Sequence, residues 1–258
     1  MIFAILESLG RPAAFAHYRS LFHDAEFQAS MLFTFLMASA ATAMSSCLGL
    51  SIALAFRQVS RNSRTLNALL QVPIAVPHLV MAIFVVNLFG QSGLIARAVY
   101  LAGVIQAPAD FPAILHDRYG VGIALSYVLK ETPFIALVAL AMLRRSGTDY
   151  EHAAATLGAS PWQCFRHVTL PLVAPAVVSA SLIVFAFIFG AFEVPFLLGR
   201  PYPAMLGVLA QRRFLSTDLN DRPGAIAAGV LMSAVSSLVV LGYLRLSSRL
   251  LGERPTLF

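Results

Sequence analysis

Charge is scarce in this 258-residue sequence: 12% of residues are Asp, Glu, Lys or Arg, where soluble domains carry about a quarter. With 59% hydrophobic residues and a mean hydropathy of +0.78, that scarcity excludes an ordinary soluble domain and identifies an integral membrane protein. Cysteine is nearly absent too. Cys47 lies in an apolar run and Cys164 in a polar loop, so neither a disulfide framework nor a paired C-x-x-C site is implied. The six histidines, at 17, 23, 78, 116, 152 and 167, show no H-x-x-x-H spacing, which leaves a metal site without support. A G-x-x-x-x-G-K-[ST] loop is also missing, so no nucleotide site is expected on this chain. The net charge of +6 comes from arginines scattered through short polar loops. That distribution suits orientation signals at a membrane and argues against nucleic-acid binding.

What is present is a set of long uncharged runs. Residues 1–26 are broken by Glu7, Arg11, His17, Arg19, His23 and Asp24, so no full span of about 20 residues is expected there. A signal peptide is disfavoured, because no basic start precedes an apolar core. Spans are expected over about 27–56, 66–90, 119–143, 171–198 and 223–244. Pro73 and Pro77 interrupt the first half of the second, and the carbonyls they free need other partners. His78 reads as an interhelical residue, with a place in the solute path as the alternative. Residues 91–118 read as an external connection holding a short helix or a partial re-entrant segment. The predicted fold class is an all-α polytopic bundle: one transmembrane domain with five clear spans.

Three ionisable residues fall inside these runs. Lys130 and Glu131 sit mid-span, where charge is expensive and faces protein or water. As neighbours on a helix they point about 100° apart, so they do not neutralise each other side by side. Each is a candidate for the translocation path or for interhelical pairing. Glu193, near the outer end of the fourth span, either snorkels to the interface or faces the path.

Between the third and fourth spans lies the polar stretch TDYEHAAATLGASPWQCFRHVTLPLVAP, residues 148–175. It reads as two short helices joined by a turn. Thr148 and Glu151 fit a capping box, Gly158 suits a left-handed helix end, and Ser160, Pro161 and Gln163 open a second helix. Pro171 and Pro175 mark the passage into the next span. Ala153, Ala154 and Leu157 share a face of little bulk, which lets a partner backbone come close.

This spacing resembles the EAA loop of permease subunits of type I binding-protein-dependent ATP-binding-cassette importers: E-A-A, three residues, G, nine residues, I-x-L-P. Ala153, Ala154, Gly158, Val168, Leu170 and Pro171 fall on the pattern. His152 stands at the motif's Glu position, with Glu151 one residue earlier. The resemblance extends from about residue 24 onward, and the ending AFEVPFLLG is similar to the branch handling polyamines, ferric iron or thiamine. The family usually has a helix before the first span found here. Either this chain lacks it, or residues 1–9 are its tail.

The resemblance implies a chain with no cofactor of its own that docks, through Glu151, His152, Ala153, Ala154, Leu157, Gly158 and Pro171, on cytoplasmic ATPase subunits holding ATP and Mg. A second permease subunit, expected to be a different chain, and an extracytoplasmic solute-binding protein complete the assembly in the bacterial inner membrane. Arginine counts alone orient the chain weakly, nine on the segments read as cytoplasmic and eight on the external ones. The resemblance decides it, placing the 148–170 loop and the C-terminus inside. Glu131 and Glu193 together favour a cationic, polyamine-like solute, and Lys130 argues against one. An ion-gradient-driven secondary transporter, with Lys130, Glu131 and Glu193 as a relay, is the competing reading; the lack of an evident internal repeat weighs against it. A membrane enzyme would need converging catalytic groups, and the polar residues are scattered over different spans.

Overall fold

The structure, a computed structural model, describes residues 16–57, 59, 63–146, 149–219 and 221–251. Among them there are helices and no strand. In order they are α1 (Ala16–His23), α2 (Ala25–Phe56), α3 (Arg64–Ala75), α4 (His78–Phe89), α5 (Leu94–Leu101), α6 (Val121–Ser146), α7 (Asp149–Thr156), α8 (Pro161–Cys164), α9 (Leu170–Gly190), α10 (Glu193–Leu198), α11 (Leu206–Phe214) and α12 (Asp221–Leu251). Among the described residues, five stretches are long and apolar enough to cross a bilayer: Ala25–Phe56, His78–Leu101, Val121–Arg145, Pro161–Gly190 and Asp221–Gly242. The expectations for residues 1–9 and for Thr148 fall outside the described residues.

The helices depart from the expected spans in three places: the 66–90 run breaks and the membrane-length stretch there is His78–Leu101, the fourth span is joined to the helix before it, and that span ends at Gly190 with α10 separate. The 66–90 run is two helices: α3 contains Pro73 and ends at Ala75, Pro77 follows, and α4 begins at His78. The second docking helix does not stop before the membrane. A π-helical turn over Phe165–Thr169 joins α8 to α9, so Pro161–Gly190 runs as one helix. A π-turn shifts the carbonyl register just ahead of Pro171, where the ring cannot donate and would crowd the carbonyl four residues back.

The chain divides into two compact units. The first comprises residues 1–40, 78–126 and 185–258. There α11 packs along α12, α12 against α1, and α10 against α4. Asp24 opens α2 by accepting the amides of Glu26 (2.8 Å) and Phe27 (3.4 Å), as an N-cap should. The Asp24 carboxylate is also ion-paired with Arg213, while Glu26 pairs with both Arg212 and Arg213. The buried Thr34 hydroxyl accepts the first amide of α11, at Leu206 (2.7 Å). Asp117 accepts the amides of Tyr119 and Val121 at the start of α6. His116, with φ of 57°, binds the last carbonyls of α10 through its amide (Leu198, 3.1 Å) and its Nε2 (Leu197, 3.0 Å).

The second unit comprises residues 41–77 and 127–184. Its helices approach closely at Gly49, where an added Cβ would meet the Ala136 nitrogen and the Ile135 side chain at 3.0 Å. Small residues permit such contact between spans, where packing drives association. The Ser46 and Ser181 hydroxyls share a 2.6 Å hydrogen bond.

Candidate functional site

The polar stretch forms a compact hairpin within the second unit. Helix α7 ends in a Schellman motif: the Ala159 amide bonds the Ala154 carbonyl (3.1 Å) and the Gly158 amide bonds that of Ala155 (3.0 Å). Gly158 takes φ of +86° to allow this, and no atom lies within 4 Å of where its Cβ would be. Backbone conformation therefore sets the requirement for glycine. The next helix starts as the sequence predicts. Ser160 and Gln163 form a reciprocal capping box, with Pro161 at the first helical position.

The hairpin is anchored by a carboxylate. Glu151 Oε1 accepts hydrogen bonds from Arg57, just past the end of α2 (2.6 Å), and from Thr169 in the π-turn (2.5 Å). Burial pushes the Glu151 carboxyl upward, but the Thr169 hydroxyl and the Arg57 guanidinium outweigh it and hold the group below the ordinary glutamate range. An open cavity of about 430 Å³ adjoins the three side chains, with Cys164 and Phe165 in its wall. Arg144 reaches back over the same end of the unit to the Val59 carbonyl (2.8 Å).

The proposed docking residues thus divide. Glu151 is turned inward. His152 and Ala153 are exposed, Ala154 is half-buried, Leu157 is 89% exposed, and Pro171 is exposed at the start of α9. Ala154, Leu157 and Gly158 line a shallow cavity with Gln163 and His167. A bare leucine beside a small-residue face is a surface shaped for apolar contact with another chain.

The path candidates belong to different units, Lys130 and Glu131 to the second, His78 and Glu193 to the first. Lys130 is buried and its Nζ donates to the carbonyls of Pro73 (2.8 Å) and Ile74 (2.6 Å). Glu131 is buried next to it in sequence. His78 stacks on Phe187, with ring centroids 4.2 Å apart. Glu193 is exposed in the first turn of α10. Sequence reasoning missed the roles of Arg57 and Thr169. Arg57 was legible only as a topology charge, and the one hint for Thr169 was its place beside Leu170 and Pro171.

Comparison with known proteins agrees with this architecture. Residues 45–252 match the family described as binding-protein-dependent transport system inner membrane component. The molybdenum transport system permease protein ModB of Mycobacterium tuberculosis is 32% identical over 216 residues, covering 83% of this chain and 78% of that protein. The sulfate transport system permease protein CysT of Escherichia coli is 27% identical, covering 92% and 82%. A chain in the crystal structure of a bacterial alginate ABC transporter, in complex with alginate pentasaccharide-bound periplasmic protein, has the same fold. Its TM-score is 0.80 at 20% identity, covering 96% of this chain and 88% of the other. Five spans, the hairpin with its Gly158 turn and a family match over most of the length converge: the chain belongs to the binding-protein-dependent transport system inner membrane components and is a multi-pass permease subunit of a type I ABC importer.

Proposed function

We propose that this chain lines the path of an importer for a small oxyanion and takes its energy from a cytoplasmic ATPase seated on the 149–171 hairpin. The chain itself holds no nucleotide or metal; ATP and Mg belong to the ATPase. A second permease subunit, a different chain, completes the path, a solute-binding protein delivers to the outer side, and the C-terminus is cytoplasmic. The observation that carries the coupling role is the hairpin itself: an exposed Leu157, a left-handed Gly158 and a carboxylate tied back to Arg57. Closure of the ATPases on ATP shifts the spans between states only as far as nucleotide favours one of them.

The oxyanion reading is supported by the similarity to permeases named for molybdenum and sulfate transport. A polyamine-like cation is the second reading, favoured by the exposed carboxylate of Glu193. ATP-dependent uptake of labelled molybdate, sulfate and putrescine by vesicles carrying the whole assembly separates the two. Coupling is tested by co-purification of the ATPase with wild type, Gly158→Pro and Ala154→Glu. Retention by wild type and loss by both variants, with membrane insertion intact, supports docking. Equal behaviour of all three refutes it.

A further inference from the structure

We propose that Lys130 is a positioning residue: its ammonium group replaces the backbone donors missing where α3 ends and so fixes the end of α3 against the middle of α6. The need arises from sequence. In a continuous helix the Pro73 carbonyl would accept the amide of residue 77, but residue 77 is proline and has none. Helix α3 ends at Ala75, so Pro73 and Ile74 both belong to its last four carbonyls. In a bilayer no water is at hand to satisfy them.

Lys130 meets both. Its Nζ lies 2.8 Å from the Pro73 oxygen and 2.6 Å from the Ile74 oxygen, and the residue is 6% exposed. The negative end of a helix favours a cation. A mid-span lysine and two carbonyls without intrahelical donors, each costly alone, therefore satisfy one another. The ammonium carries three donors on a flexible stem, so one side chain serves two acceptors. Within this unit the middle of α6 is thereby tied to the end of α3. The lysine is occupied by backbone, which sets it apart from a solute ligand.

The experiment does not depend on the solute. The full chain is reconstituted with its partner subunits in nanodiscs, in a Cys47→Ser, Cys164→Ser background. Spin labels are attached at Val72→Cys and Ala141→Cys, exposed positions on α3 and α6 within this unit. Distance distributions are then measured by double electron–electron resonance. Lys130→Met is expected to broaden the distribution at least twofold, and Lys130→Arg to keep it narrow. Adding Pro77→Ala, which restores an amide for the Pro73 carbonyl, is expected to narrow Lys130→Met again. A Lys130→Met distribution as narrow as wild type overturns the proposal, as does broadening that Pro77→Ala leaves in place. If Lys130→Met yields no folded complex, recovery in Lys130→Met/Pro77→Ala supports it; failure of that double variant beside a folded Pro77→Ala overturns it.

Discussion

Arg57 and Glu151, 94 positions apart in sequence, are joined by a 2.6 Å ion pair that ties the end of α2 to the first turn of α7. Both side chains are less than a third exposed. Removing one partner leaves a half-buried charge without its counterion, a loss of about 1–3 kcal/mol for a charged hydrogen bond. Arg57→Met and Glu151→Gln should each lower protection of α7 amides in hydrogen exchange, and the double variant should cost less than the sum of the two. Additive losses would show that the pair contributes nothing as a pair.

The same carboxylate makes the hairpin sensitive to acid. Because the folded pKa of Glu151 lies below the ordinary value of 4.5, its stabilising contribution is complete above that value. It is lost as pH falls through the folded one. Hydrogen exchange of α7 should show this step at acid pH in wild type. Glu151→Gln should start less protected and lack the step.

Gly158 faces open space but requires φ of +86°. Gly158→Ala should therefore weaken the hairpin by about 1 kcal/mol through backbone strain alone. Gly158→Asn should cost less, since asparagine tolerates the left-handed region better. Hydrogen exchange of the α7 amides should be about fivefold faster in the alanine variant. A Gly158→Ala protection equal to wild type would contradict this account.

Gly49 presents the opposite situation: space is its constraint. With Ala136 nitrogen and Ile135 side-chain atoms 3.0 Å from the missing Cβ, Gly49→Ala should destabilise by about 1–3 kcal/mol and Gly49→Val by more. Gly229→Ala, where nothing lies within 4 Å, serves as the control. Thermal unfolding in detergent should lower the midpoint for the first two only.

At α11, Arg213 engages both Asp24 and Glu26, whereas Arg212 pairs with Glu26 and is about half exposed. Arg213→Gln should destabilise by about 1–2 kcal/mol. Arg212→Gln should stay within the small range of exposed pairs, below about 1 kcal/mol. The unfolding midpoints of the two variants test the order.

Local chemistry made much of this legible in the sequence. The Ser160–Gln163 box and the Gly158 turn each depend on residues a few positions apart, and each appears where the spacing put it. What sequence could not disclose was pairing over long separations. Lys130 stayed open between the solute path and interhelical pairing because nothing near it in the chain partners a mid-span cation; its carbonyl acceptors are 56 and 57 positions away. Glu151 looked like an outward contact because Arg57 is 94 positions distant. The π-turn at Phe165–Thr169 was hidden for a different reason: Pro171 signals a helix boundary, and a register shift meets the same steric demand without ending the helix.

Arg57 and Arg144, which count toward the positive charge of the proposed cytoplasmic side, end up bound to Glu151 and to the Val59 carbonyl. The two uses fall at different times. During insertion, before these contacts form, both guanidinium groups act as charges that resist translocation. In the folded chain Arg57 fastens the hairpin through Glu151, and Arg144 holds the Val59 carbonyl. The same two side chains thus carry charge in one stage and hold a contact in the next.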